Sequence, residues 1–91
     1  MNTPIIEHTW SRIKCLEGQE FRTKTGKPFT YSIYGDSLTP SRTDYNINKI
    51  EFAKALAKVP LKGPGEISQT VRGPSCVWAI LHDPRVRETD W

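Results

Sequence analysis

The sequence predicts an α+β fold: an N-terminal helix, a three-stranded antiparallel meander and three C-terminal helices. Three observations carry that expectation. Apolar residues recur at helical spacing in the first segment and again after position 46. Between them, residues 20–34 alternate between apolar or β-branched and polar side chains, as a strand with one buried face must. Gly18, Gly35, Pro60, Gly73 and Pro84 punctuate the boundaries. The same order of elements would suit a winged-helix-like arrangement.

At 91 residues the chain fits one domain, 1–91. Its three Trp, three Tyr and three Phe are enough to build a modest core.

The first helix is expected over Ile5–Leu16. Ile6, Trp10 and Ile13 share a face, and Gly18 stops it. Next, Phe21, Thr23 and Thr25 alternate with Glu20, Arg22 and Lys24. Phe29, Tyr31 and Ile33 then alternate with Thr30, Ser32 and Tyr34. Gly26-Lys27 between the two runs suits a two-residue type II′ turn. Gly35-Asp36 gives a second turn, and Ser37–Thr43 returns as a third strand. Pro40 is expected to keep that strand at an edge.

Asn46 or Asn48 then caps a helix running to about Lys58. Its stripe of Ile50, Phe52, Ala53, Leu56, Ala57 and Val59 is the natural cover for Phe21, Phe29, Tyr31 and Ile33. Lys62-Gly-Pro-Gly65 forms a connector, and Glu66–Arg72 makes a short helix that Gly73-Pro74 breaks. Ser75 caps the last helix, Cys76 to about Asp83, and Pro84 closes it.

The net charge is +3, but it is unevenly spread. Arg12–Lys62 holds ten basic side chains against five acidic, while Gly63–Trp91 holds three against four. No run of 18 apolar residues exists, so no membrane span is expected. The N-terminus lacks the basic-then-apolar pattern of a signal peptide. The expected compartment is the cytoplasm, with Cys15 and Cys76 as thiols.

Catalytic equipment is not evident, and the reading is of a protein that is not an enzyme. Cys76 and His82 are six positions apart and point to different sides of one helix. His82 stands where a helix dipole would favour its cation. Cys15, Cys76, His8 and His82 lack metal-ligand spacing, and Gly63-Pro-Gly65 lacks the pattern of a phosphate loop. No cofactor or metal is expected. Binding remains, and two surfaces are candidates.

The solvent face of the hairpin should show Arg22, Lys24, Lys27, Thr30, Ser32 and Tyr34, with Arg42 extending it. Cations around an exposed aromatic would hold a nucleic-acid backbone and stack a base. They would equally fit an acidic protein surface, or form an ordinary solvated face that keeps strand edges from pairing.

The second candidate is residues 67–86, with the rhythm of a helix–turn–helix opening its second helix at Ser75. Val77, Ile80, Leu81 and Pro84-Arg85-Val86 resemble the recognition-helix segment of Lac-type bacterial repressors. The positions that read bases in that family hold Trp78 and Ala79 here. The segment also has little excess positive charge, so these residues favour a buried helical pair with Trp78 in the core. His82 lies at its end.

Over most of the chain, Phe21-Arg-Thr-Lys-Thr-Gly-Lys-Pro-Phe-Thr-Tyr31, Pro40-Ser-Arg-Thr43 and Gly73-Pro-Ser-Cys-Val-Trp-Ala-Ile-Leu-His-Asp83 resemble small hypothetical proteins of bacterial integron gene cassettes. That resemblance implies a mobile-element origin, one domain and a frequent tendency to form homo-oligomers, without an assigned activity. The functions left open are nucleic-acid binding, protein interaction or self-association, and small-ligand binding.

Overall fold

Trp10 and Ile13 lie three apart on α1 (Ile6–Cys15), hence on one face, and both are buried. The structure, a computed structural model, describes residues 6–41, 46–59, 61–71 and 73–87. The expected helix start at Ile5 and strand end at Arg42–Thr43 fall outside those residues. Gly18 (φ 86°) turns the chain after α1, and its N–H donates to the Tyr31 carbonyl at 3.2 Å. The left-handed conformation is why a glycine stands there.

β1 (Phe21–Arg22) pairs antiparallel with β2 (Pro28–Phe29), placing Phe21 opposite Phe29. Their connection corrects the expected Gly26-Lys27 turn. Thr23 N–H donates to the Lys27 carbonyl (3.0 Å) and Gly26 N–H to the Thr23 carbonyl (2.9 Å). The turn therefore centres on Lys24-Thr25, and Gly26 follows at φ 86°. A two-residue turn would have needed Pro28 to donate a closing hydrogen bond, and proline has no N–H.

The three-stranded antiparallel sheet is present with a different membership. Its order is β3 (Tyr31–Tyr34), β4 (Ser37–Pro40), β5 (Ile47–Asn48), so β1 and β2 form a sheet of their own. Thr30 divides the long strand that alternation suggests. Its N–H donates to Ser41 Oγ (3.0 Å) and its carbonyl accepts from Ser41 N–H (2.8 Å). β4 is thus central and not an edge. Pro40 is tolerated because β5 lies opposite only Ser37 and Leu38. The outer edge of β3 is covered too, since Glu17 Oε2 accepts from Ile33 N–H at 2.7 Å.

Asn48, not Asn46, caps α2 (Lys49–Leu56), its side chain accepting from Ile50 N–H. Phe52, Ala55 and Leu56 face inward, and Phe52 meets Trp10 at 5.5 Å between ring centres. Ile50, expected in the buried stripe, is 61% exposed in the first turn. α2 packs on α1 and on α3 (Pro74–Leu81), as well as beside β5.

The expected helix at 66–72 is a single 3₁₀ turn, Pro64–Ile67. α3 is capped by Gly73 (φ 63°) with Pro74 at its first position, so Ser75 is an exposed first-turn residue and not the cap. Proline fits there because the first helical N–H has no partner within the helix. Pro84 both ends α3 and opens a short α4 (Pro84–Arg87), with Asp83 Oδ1 accepting from Arg85 N–H at 2.9 Å. Trp10, Phe21, Tyr31, Leu38, Phe52, Ile80 and Val86 belong to one core. Among the described residues no helix is long and apolar enough to cross a membrane.

Candidate functional site

Trp78 and His82 stand four apart at the end of α3, so they share a face. Their rings stack at 4.9 Å with 16° between planes. Cys76, Val77, Ala79, Ile80 and Leu81 of the same helix are buried, and the pair is half-buried at their margin. Both rings grip one residue of the connector. Trp78 Nε1–H donates to the Leu61 carbonyl (3.3 Å), and Leu61 N–H donates to His82 Nε2 (3.0 Å).

That geometry fixes the imidazole. Nε2 accepts, so the neutral ring carries its proton on Nδ1 and donates to the Trp78 carbonyl at 3.2 Å. Burial pushes the His82 pKa below its ordinary value; the bond to the Trp78 carbonyl opposes this, and the charge on Arg87 adds to it. The cation that the helix end would favour is therefore not the state this site holds. The segment with the helix–turn–helix rhythm holds one α-helix of eight residues. Its first element is one 3₁₀ turn, and Trp78 is occupied with Leu61.

The facing wall is built from the hairpin. Phe21 packs at 5.3 Å from Tyr31 and 6.0 Å from Phe29. Arg85 lies 4.5 Å above the Phe21 ring, donates from Nη2 to the Glu20 carbonyl (2.8 Å), and forks onto both Asp83 oxygens (2.9 and 3.0 Å). Burial raises the Asp83 pKa, yet the bonds from Arg85 outweigh it and hold the carboxyl below its ordinary range. Arg85 thus ties the start of β1 to the start of α4.

Between these walls opens a cleft of about 470 Å³, lined by Arg22, Lys24, Trp78, His82, Asp83 and Arg85 among others. The two surfaces that the sequence offers separately meet here. Arg22 is exposed, 3.0 Å from Glu20, and donates to the Gly26 carbonyl at 3.1 Å. Lys24 Nζ donates to the Lys62 carbonyl at 3.1 Å and has no carboxylate partner among the described residues. A smaller neighbouring cleft of about 170 Å³ is lined by Thr23, Lys24, Thr25, Lys27, Pro64 and Ser75.

Of the other expected contacts, Tyr34 is 69% exposed on the outer row of the three-stranded sheet and lines neither cleft. Arg42 lies outside the described residues. Asp83 and Arg85 also line the larger of these two clefts, and the pattern of charges did not point to them. Their mixed signs read as neutral, although the fork between them is what anchors the wall.

The comparisons return nothing. No family model, curated protein or solved structure matches the chain. Among the described residues, no three His, Cys, Asp or Glu side chains gather as a metal site would require. Cys15 is exposed on α1 and Cys76 is buried in α3.

Proposed function

We propose that this chain is a non-catalytic module that binds nucleic acid in the cleft between the hairpin and α3. One observation carries the reading: hairpin cations (Arg22, Lys24) and a stacked Trp78–His82 pair line the same open cleft. Cations hold a phosphate backbone without regard to sequence, and an aromatic pair offers a face to an unstacked base. An open cleft of this size has room for an unpaired nucleotide. The non-catalytic part is supported by His82, whose two ring nitrogens both bond to backbone. A bacterial mobile-element origin and a cytoplasmic setting belong to the same reading, through the cassette-protein resemblance and the thiol state of both cysteines.

The test is fluorescence anisotropy of labelled single-stranded RNA and DNA pools across a salt series. Two phosphate contacts, from Arg22 and Lys24, predict a slope of log affinity on log salt of about −1.4. Lys24→Glu should remove most of the binding. No binding to either pool at the lowest salt overturns the proposal.

A protein-interaction or self-associating module is the second reading. It is favoured by Tyr34 and Ile50, 69% and 61% exposed near one end of the three-stranded sheet. A single monomeric peak in size-exclusion chromatography at every loading, unchanged by Tyr34→Ser, counts against self-association.

A further inference from the structure

We infer that the smaller cleft, beside the Trp78–His82 cleft, is a phosphate seat organised by Lys24, Lys27, Thr25 and Ser75. The inference deepens the nucleic-acid reading and rests on it for the source of the phosphate. Lys24 and Lys27 line this cleft, and none of the described residues lining it is acidic. Glu66, two positions after the lining Pro64, accepts from Lys62 N–H at 3.1 Å through its carboxylate.

Thr25 and Lys24 are placed before any ligand arrives. Lys27 N–H donates to Thr23 Oγ1 (3.1 Å), which lies 3.2 Å from Thr25 Oγ1. When Thr23 donates along that contact, the Thr25 hydroxyl keeps its own hydrogen for the cleft. Lys24 is placed by backbone on the other side. Its ammonium donates to the Lys62 carbonyl and lies across Gly63, where a Cβ would sit 2.7 Å from Nζ. One of its three hydrogens is taken by that carbonyl, and the others are available to an oxyanion. Lys24 lines both clefts, so a phosphate on it sits beside the aromatic cleft where a base would stack.

Gly63 supplies the decisive variant. Its φ of −178° is extended backbone that alanine adopts without strain, so Gly63→Ala displaces the flexible Lys24 terminus and leaves the fold intact. The probe is inorganic phosphate, titrated into the ¹⁵N-labelled chain at constant ionic strength, with chloride as the control. Saturable shifts are expected at residues 23–27 and 75–76. Lys27→Gln and Gly63→Ala should each weaken phosphate binding about two- to fivefold.

A parallel titration with an oligonucleotide separates the claims. Binding of both ligands supports both. Phosphate binding alone keeps the seat, assigns it to a free phosphorylated small molecule and removes the nucleic-acid reading. Oligonucleotide binding without a saturable phosphate response, or with phosphate affinity unmoved by either variant, overturns the seat.

Discussion

The two walls of the main cleft are built in opposite ways. The α3 wall rests on a helix buried at Cys76, Val77, Ala79, Ile80 and Leu81, and its aromatic pair is bonded to both polar groups of the Leu61 backbone. The hairpin wall has strands of two residues each, and its cations Arg22 and Lys24 make exposed side-chain-to-backbone bonds. Exposed ion pairs such as Arg22–Glu20 contribute about 1 kcal/mol at most. The difference teaches that one wall supplies shape and the other supplies charge. Substitutions should separate accordingly, with stability tracking α3 and binding tracking the hairpin.

The largest expected effect is on the shaped wall. Trp78→Ala removes a half-buried indole and orphans the Leu61 carbonyl, and it should cost about 2–3 kcal/mol in urea unfolding. A loss under about 1 kcal/mol would show that the Leu61 clamp contributes little and would break the contrast. Next comes Arg85→Ala, which removes the contact with Phe21 and the bond to the Glu20 carbonyl. About 1–2 kcal/mol is expected. An equal loss in Arg85→Lys would sharpen the case for the planar fork onto Asp83.

Acidification is a gentler probe of the same wall. The folded His82 pKa lies below its ordinary value of 6.5, so the unfolded chain takes up a proton first as pH falls. The contribution is complete above about pH 6.5 and is lost as pH falls towards the folded pKa. Thermal melts should show that decline, and His82→Gln should flatten it. An unchanged slope in the variant would assign the acid sensitivity to other groups.

The smallest expected effect on stability belongs to the hairpin. Arg22→Glu should leave the unfolding midpoint within about 0.5 kcal/mol of the parent. The same change should weaken nucleic-acid binding severalfold, read by anisotropy. If stability and binding fell together, the hairpin would be part of the shaped wall.

Some of this was legible in particular residues. Trp10 and Ile13 announced the inner face of α1, Asn46 or Asn48 the cap that Asn48 supplies, and Phe21, Phe29 and Tyr31 the buried faces of the two sheets. Pro28 also carried a readable warning about the turn, since a residue without an N–H cannot close a two-residue hairpin. Ser75 misled because the preference of serine for a cap is weaker than the joint preference of Gly73-Pro74 for the cap and first position. Ile50 misled because helical spacing does not say how far the buried stripe extends. For the site, Arg22, Lys24, Trp78 and His82 could each be named in advance, but their meeting could not.

The sequence by itself determined the α+β class, the first and the two longer C-terminal-half helices and the uneven charge, because those follow from local periodicity and composition. The tertiary structure alone decided that β4 is central, that His82 is held neutral, and that hairpin and helix share a cleft. Each of those depends on contacts between residues far apart in the chain, such as Thr30 with Ser41, Leu61 with His82, and Glu20 with Arg85. No local pattern encodes which distant backbone group a side chain will meet, because that is settled only when the core closes.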